Sequence, residues 1–286
     1  MKLTVLTDNN TYIDQYYLGE PGLCYYLEDG EERLLCDLGY SDVFVQNANA
    51  MGIPLETVRQ IVFSHGHNDH TGGMRFLPPE VRGCRIIAHK NVLEPKRENG
   101  LLISAPRDAE ALASRFSLCL SKEPRQISQH IWFLGQIPRR HPFENQKPIG
   151  LRLTENGWEP DFLLDDSALA LRFGDGVFIV TGCSHSGICN IVSYAKEVTG
   201  CTRVLGLIGG CHLFETDAEQ TEQTAAFLAR EQMAEVFPCH CTSLQAKLRL
   251  SRRLNLREVG VGLQLEWDEM GNLTREIHVN PVPDTY

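Results

Sequence analysis

The sequence is short of several features that would place a chain outside the soluble globular class. Its first ten residues, MKLTVLTDNN, contain no apolar segment of the kind that directs secretion. No apolar run approaches the roughly 20 residues that a membrane-spanning helix needs. We find no internal repeat, no low-complexity tract and no break in composition. These absences predict a cytoplasmic protein that has no membrane partner and forms one domain over residues 1–286.

Positive charge is scarce as well. The chain has 27 Lys and Arg against 37 Asp and Glu, which gives a formal net charge of -10. Nucleic acids bind through clustered Lys and Arg, so this balance argues against a broad nucleic-acid-binding surface. Cysteine, by contrast, is plentiful, with ten residues scattered along the chain. In a chain of this length without a secretion signal, they are expected to be reduced thiols or metal ligands rather than disulfides.

Short apolar segments bounded by Asp, Asn and Gly alternate with helical segments, which indicates an α/β protein. Strands are predicted at 3–8, 23–28, 33–39, 59–65, 84–90, 130–135, 203–210 and 235–242, with a hairpin at 168–182. Helices are predicted at 41–52, 71–79, 187–200, 217–232 and 243–255. Residues 95–130 are less regular and contain a helical stretch, RDAEALASRFSLCL, at 107–120. We interpret this region as an inserted cap or lid.

The stretch VFSHGHNDHTGG places His65, His67, Asp69 and His70 within six positions. His65 and His67 are two residues apart at the end of an extended segment, so both imidazoles project to one side. Neutral imidazole and carboxylate together suit zinc, iron or manganese. The alternative is a polar surface loop, but four ligand-type residues so close together favour a metal site.

Three later histidines, His185, His212 and His240, each follow a predicted strand. Because sites gather at strand ends in sheets of this kind, the three are expected to converge on one pocket. Any one of them alone could equally be a core histidine. His89, His130 and His278 lack this context and are interpreted as ordinary residues.

Several motifs of the sequence together resemble those of a known family. His65-Gly66-His67-Asn68-Asp69-His70 matches the HxHxDH signature of the metallo-β-lactamase superfamily, and LLCDLG resembles its upstream strand-end Asp motif. The segments GQIPRRHPFE, LLDDSAL, VTGCSHSGICNIV, LIGGCHLF and PCHCT resemble a subgroup. That subgroup is commonly named 7,8-dihydropterin-6-ylmethyl-4-(β-D-ribofuranosyl)aminobenzene 5'-phosphate synthase.

The resemblance implies a four-layer αββα sandwich with two mixed sheets. It also implies one or two divalent transition metals, with zinc first and manganese or iron as alternatives. The implied ligands are His65, His67, Asp69, His70, His185 and His240, with Asp37 behind them. Many members have a metal-bridging Asp where this chain has Cys183, so Cys183 either lies behind the ligands or binds metal as a thiolate.

The expected function is that of a metal-dependent enzyme on a phosphorylated small molecule. It is either a pterin-type transferase that displaces pyrophosphate or a hydrolase that uses metal-bound hydroxide. Asp69 would position the nucleophile, and His212 would act as acid, base or substrate contact. The alternatives are a mononuclear iron oxidoreductase of the persulfide dioxygenase type and a non-catalytic metal or ligand sensor. A homodimer is left open.

Two further segments bear on the substrate. Arg139 and Arg140 lie in the proline-framed stretch IPRRHPFE, so one of them is expected to bind the substrate phosphate through its planar fork. The alternative is a solvated basic loop with a salt bridge to Glu144. Asp165 and Asp166 in LLDDSAL are interpreted as a turn, with a pocket-lining role as the alternative.

Overall fold

Eighteen strands and six α-helices make up the regular structure in the part of the chain that the computed structural model describes, residues 1–144, 146–214 and 218–281. The strands are β1 (Lys2–Thr7), β2 (Cys24–Asp29), β3 (Glu32–Cys36), β4 (Gln60–Val62), β5 (Arg85–Ala88), β6 (Lys96–Glu98), β7 (Leu101–Leu102), β8 (Ser117–Leu120), β9 (Arg125–Gln126), β10 (Ile131–Phe133), β11 (Leu151–Thr154), β12 (Gly157–Pro160), β13 (Ala168–Phe173), β14 (Gly176–Thr181), β15 (Arg203–Gly209), β16 (Glu235–Pro238), β17 (Leu263–Trp267) and β18 (Leu273–His278). The helices are α1 (Val43–Ala50), α2 (Asn68–Thr71), α3 (Ala109–Ala113), α4 (Ile188–Thr199), α5 (Ala218–Arg230) and α6 (Leu244–Leu250). Two short 3₁₀ turns add Leu55–Thr57 and Gly72–Phe76.

The strands form two large mixed sheets and one small sheet. The first large sheet has the order β18-β17-β1-β2-β3-β4-β5-β8, and the second has the order β16-β15-β14-β13-β10-β9. Strands β3, β4, β5 and β8 run parallel, as do β14, β15 and β16. The small sheet, β12-β11-β6-β7, is antiparallel.

Alternating burial along the strands divides the apolar interior into three layers of packing. Leu34 of β3 and Leu171 of β13 belong to the core between the two large sheets. Leu35, one residue along β3, instead packs with Phe44 of α1 on the outer face of the first sheet. On the outer face of the second sheet, residues such as Ile179 pack against α4, α5 and α6. Helices therefore cover both outer faces, and the predicted αββα sandwich is confirmed.

The segment predicted as a cap is divided among several parts of the fold. Only Ala109–Ala113 of the stretch 107–120 is helical, because Ser117–Leu120 pairs in parallel with β5 as β8. Strand β9 joins the second large sheet, whereas β6 and β7 join β11 and β12 in the small sheet. The small sheet is thus built from residues near 96–102 and 151–160, and only the first of these ranges lies in the segment predicted as a cap.

Within the described residues, no helix has both the length and the apolar character that crossing a bilayer requires. All ten cysteines are free, and eight of them are buried.

Candidate metal centre

The candidate site lies where parallel strands of both sheets end. Asp37 follows β3, and Ser64 with the HGHNDH stretch follows β4. From the second sheet, Cys183 and His185 follow β14, whereas His212 and His240 follow β15 and β16. Asp37, Ser184, His212 and His240 all have φ between 49° and 62°. Non-glycine residues rarely adopt this left-handed conformation, so the surrounding structure holds these four in place at a cost in backbone energy.

Asp37 is fully buried and holds two elements of the HGHNDH stretch from behind. Its Oδ2 lies 2.7 Å from His70 Nδ1 and also accepts a 2.7 Å hydrogen bond from Ser64 Oγ. Ser64 Oγ in turn lies 2.9 Å from His65 Nδ1. Each imidazole thus has its outer nitrogen occupied by protein, which leaves Nε2 to face the site. Asp37 therefore lies behind His65 and His70, on the side away from their Nε2 atoms.

The first group of candidate ligands consists of His65, His67 and His185, whose facing nitrogens all lie within 4.8 Å of one another. All three side chains are buried. Burial lowers the pKa of His65 and His185 well below the usual value and lowers that of His67 to about 4, so the three rings are neutral at pH 7.

The second group consists of Asp69, His70, Cys183 and His240, again with ligand atoms within 4.8 Å of one another. His240 Nε2 lies 3.2 Å from both Asp69 Oδ2 and His70 Nε2, and its Nδ1 is 2.9 Å from Asn9 Oδ1. Burial alone would lower the pKa of His70, but the carboxylates of Asp69 and Asp37 outweigh it and raise that pKa to about 9. His70 therefore holds a proton at neutral pH that a bound cation would displace.

Cys183 connects the two groups. Its Sγ lies 3.2 Å from His70 Nε2 in the second group. It also belongs to a third set of mutually close ligand atoms with His185, a member of the first group, and His212. Burial raises the pKa of the Cys183 thiol well above the usual value. A single sulfur is thus close to ligands on both sides, which is the position that a bridging ligand needs.

Unpaired nitrogens show that these residues fit a metal ion. His67 Nε2 is buried without a hydrogen-bond partner. His65 Nε2 and His185 Nε2 face each other at 3.1 Å, although two neutral imidazoles can share only one proton across such a contact. Buried polar atoms are normally paired, so an unsatisfied His67 nitrogen within 4.8 Å of ligand atoms from two other histidines indicates a cation site.

A cavity of about 570 Å³ opens onto both groups. Tyr40, Phe214, Ile103 and Ile149 contribute apolar surface, and Glu98 of β6 brings the small sheet into the wall. Among the described residues that line the cavity, none is Lys or Arg. Its size suits a small organic ligand.

His212 lines this cavity, and its ring centroid is 4.3 Å from that of His185. Its Nδ1 is buried and has no hydrogen-bond partner. The structure thus brings His212 together with the candidate ligands, in a position to contact either a metal ion or a substrate.

Arg139 and Arg140 are not among the cavity-lining residues. The Arg139 guanidinium donates a hydrogen bond to the carbonyl oxygen of Phe162, and Arg140 forms a 2.6 Å ion pair with Glu197 on the surface. Glu144 does not pair with Arg140, since its carboxylate instead accepts from the N–H groups of Cys189 and Asn190 at the start of α4. The geometry does not support the prediction that either arginine holds the substrate.

The remaining histidines have structural partners, as expected. His89 Nε2 lies 3.3 Å from Gln136 Oε1, His130 Nδ1 is 2.7 Å from Asp29 Oδ1, and His278 stacks on Tyr12. Sequence reasoning missed Lys96, a fully buried lysine that pairs with Asp161 and Asp165 beside the site. A lysine at the start of a short strand gives no sequence signal of burial.

Comparison with known proteins agrees with this geometry. The sequence profile of the metallo-beta-lactamase superfamily matches residues 17–197, so the chain belongs to that superfamily. It is 29% identical, over 86% of its length and 89% of the relative's, to a Methanocaldococcus jannaschii protein. That relative is named 7,8-dihydropterin-6-methyl-4-(beta-D-ribofuranosyl)-aminobenzene-5'-phosphate synthase. An uncharacterized protein of the same organism is 26% identical over 88% of this chain and 95% of its own.

A solved structure, that of Tm1679, is described as a metal-dependent hydrolase of the beta-lactamase superfamily. It superimposes with a TM-score of 0.81 at 27% identity, covering 93% of this chain and 98% of its own. The metallo-beta-lactamase fold protein YhfI from Bacillus subtilis gives a TM-score of 0.57 at 14% identity, covering 92% of this chain and 97% of its own, and shows the shared fold.

The protonation of the two groups predicts that metal affinity depends on pH at one group only. The three imidazoles of the first group are already neutral, so the metal affinity of this group should not change between pH 7 and 8.5. The second must release the His70 proton, and the Cys183 proton as well if the thiolate binds, so its affinity should rise about ten- to a hundredfold per pH unit. Calorimetric titration of the metal-free protein in buffers of different ionisation enthalpy measures the protons released. Equal proton release in both binding steps would contradict the assignment.

The position of Cys183 predicts a spectroscopic signature of thiolate binding. Protein loaded with Co²⁺ should show a near-ultraviolet thiolate-to-cobalt charge-transfer band, and Cys183→Ser should abolish it. Cys241→Ser is the matched control, because the Cys241 Sγ also lies close by, 3.5 Å from the Cys183 carbonyl oxygen. A band that persists in Cys183→Ser, or that disappears in Cys241→Ser, would place the thiolate ligand elsewhere.

Proposed function

We propose that the protein is a metal-dependent enzyme that acts on a flat organic substrate carrying a phosphate or pyrophosphate, and that its reaction is a pterin-type transfer with loss of pyrophosphate. One observation carries the proposal: the described residues that line the cavity include no lysine or arginine, and members of both ligand groups are among them. An anionic substrate would therefore meet its positive charge at the metal centre.

We assign the first metal to His65, His67 and His185 and the second to Asp69, His70 and His240, with Cys183 between them. Zinc suits this set of imidazole, carboxylate and thiolate donors. Divalent ions held there would stabilise negative charge on phosphoryl oxygens and lower the pKa of bound water. The ionised Asp69 lies at the cavity edge, where it can orient an incoming nucleophile.

The walls suit the organic part of such a substrate. Tyr40 and Phe214 are each about half exposed and face the cavity, which gives an aromatic ring surfaces to stack on. In the proposed transfer, the amine of an aminobenzene attacks the methylene carbon of a pterin. The new C–N bond forms as the C–O bond to pyrophosphate breaks, and the amine gives up a proton to a base. His212 is the cavity residue that we assign to accept it.

The test uses the zinc-loaded protein with 7,8-dihydropterin-6-ylmethyl pyrophosphate and 4-(β-D-ribofuranosyl)aminobenzene 5'-phosphate. We expect pyrophosphate release together with the condensed product, detected by mass spectrometry. His67→Ala should lose bound metal and lower turnover more than about a hundredfold, because the charge stabilisation is lost. His130→Ala, a histidine outside the cavity, is the control and should match wild type.

Pyrophosphate release without condensed product would instead assign the protein as a hydrolase, as the description of Tm1679 favours. Absence of both products at full metal content would contradict the proposed substrate class.

His212 can be separated from the metal ligands by comparing metal content with turnover. If His212 is the base, His212→Gln should keep the metal content of wild type and lower kcat by about 10²–10⁴-fold. Loss of one metal ion per chain in His212→Gln would show instead that the third set, Cys183, His185 and His212, binds the ion.

A further inference from the structure

The segment 161–167 joins the small sheet to β13 and contains three buried acidic residues, Asp161, Asp165 and Asp166. Each is about 1% exposed, and none of them lines the cavity. Their carboxylates therefore face other parts of the protein, and two of them reach the loops that carry the three-histidine group.

Asp165 holds the loop between His65 and His67. Its Oδ2 accepts a 2.8 Å hydrogen bond from the backbone N–H of Gly66, the residue between the two histidines. A Cβ on Gly66 would stand 2.1 Å from the carbonyl oxygen of Val92 and 3.1 Å from Asp165 Oδ2, so only glycine fits there. The loop thus packs closely against Val92 and is held by the Asp165 carboxylate.

Asp166 holds the loop that carries the third histidine. Its Oδ2 accepts hydrogen bonds from the backbone N–H of Ser186, at 2.8 Å, and from the Ser186 hydroxyl, at 2.5 Å. Ser186 directly follows His185. Neighbouring residues of one short segment therefore contact both loops of the group, although those loops come from different sheets.

Lys96 anchors this segment. Its ammonium group is 1% exposed and lies 2.9 Å from Asp165 Oδ1 and 2.8 Å from Asp161 Oδ2. A buried lysine is stable only when paired, and here it pairs with two carboxylates. Asp161 has no contact with the metal loops, since its other oxygen accepts from the N–H of Leu163. Asp161 and Asp165 thus share the same cation but differ in what else they hold.

We propose that Asp165 and Asp166 are positioning residues that set the spacing of the His65, His67 and His185 imidazoles, with Lys96 as the anchor of Asp165. This inference rests on the proposed metal centre. Groups that orient metal ligands typically contribute about 10–100-fold to metal affinity. Because the two carboxylates contact Gly66 and Ser186, which adjoin ligands of the first group, the first group should lose more metal affinity than the second.

The first test compares Asp165→Ala with Asp161→Ala by competition with a chelator for Zn²⁺ and Co²⁺. Both variants remove one buried carboxylate from Lys96, so they match in charge and in cavity. We expect the first-group affinity to fall about 10–100-fold in Asp165→Ala and to stay close to wild type in Asp161→Ala. Calorimetric titration with Zn²⁺ resolves the two binding steps, and the second-group step should stay close to wild type. Thermal unfolding of the metal-free proteins measures the accompanying loss of stability.

The second test uses Asp166, and it also carries the proposal if Asp165→Ala does not fold. Asp166→Asn keeps an oxygen that can accept both bonds from Ser186, and the Asp166 Oδ1 it replaces with an amide has no hydrogen-bond partner. We expect Asp166→Asn to retain first-group affinity and Asp166→Ala to lose about 10–100-fold.

Equal affinity in Asp165→Ala and Asp161→Ala, or in Asp166→Ala and wild type, would overturn the proposal. A wild type that binds no metal would instead refute the metal centre itself, so the two failures can be told apart.

Discussion

The site depends on keeping several imidazoles buried and close together while each one points its free nitrogen inward. Burial keeps the rings of His65, His67 and His185 neutral, and any imidazole that turns Nε2 inward needs a partner for its outer nitrogen. Asp37 supplies that partner for His70 directly and for His65 through Ser64. To do so it sits directly after β3 in a left-handed conformation, with φ of 58°. The parallel pairing of β3 with β4 brings Ser64 and His65 onto it. The buried Asp37 carboxylate thereby connects the ends of β3 and β4 and orients the imidazoles of two candidate ligands. It does so from a residue whose backbone is strained.

Part of this arrangement could be predicted from sequence because it is local. His65, His67, Asp69 and His70 are close in sequence, so their proximity needs no knowledge of the fold. His185, His212 and His240 each follow a strand, and strand ends of one sheet meet at one edge. The sandwich itself follows from the alternation of strands and helices together with the resemblance. In each case, the sequence within one short segment already indicates where the residues lie relative to one another.

The rest depends on contacts between residues far apart in sequence. The pairing of Lys96 with Asp165 spans 69 positions, and the contact of Asp165 with Gly66 spans 99. A helical pattern at 107–120 was overridden after Ala113 because β5 had a free edge on which Ser117–Leu120 could pair. Arg139 and Arg140 were expected to bind an anion, but the sequence of a loop does not reveal which partner an arginine contacts. In the structure, Arg140 pairs with Glu197, Arg139 donates to a backbone carbonyl oxygen, and neither lines the cavity.

The two ligand groups differ in charge, and this difference relates the positioning segment to the proposed chemistry. Three neutral imidazoles would leave the charge of a divalent ion largely uncompensated toward the cavity, whereas Asp69 and a Cys183 thiolate would offset it in the second group. With no lysine or arginine among the described lining residues, a phosphate would be drawn most strongly to the three-histidine side. That side has no internal carboxylate to hold its ligands, so their spacing has to be fixed from outside. Asp165 and Asp166 provide this from outside the cavity. Lys96 compensates the charge of Asp165, and the Ser186 N–H and hydroxyl satisfy Asp166 Oδ2.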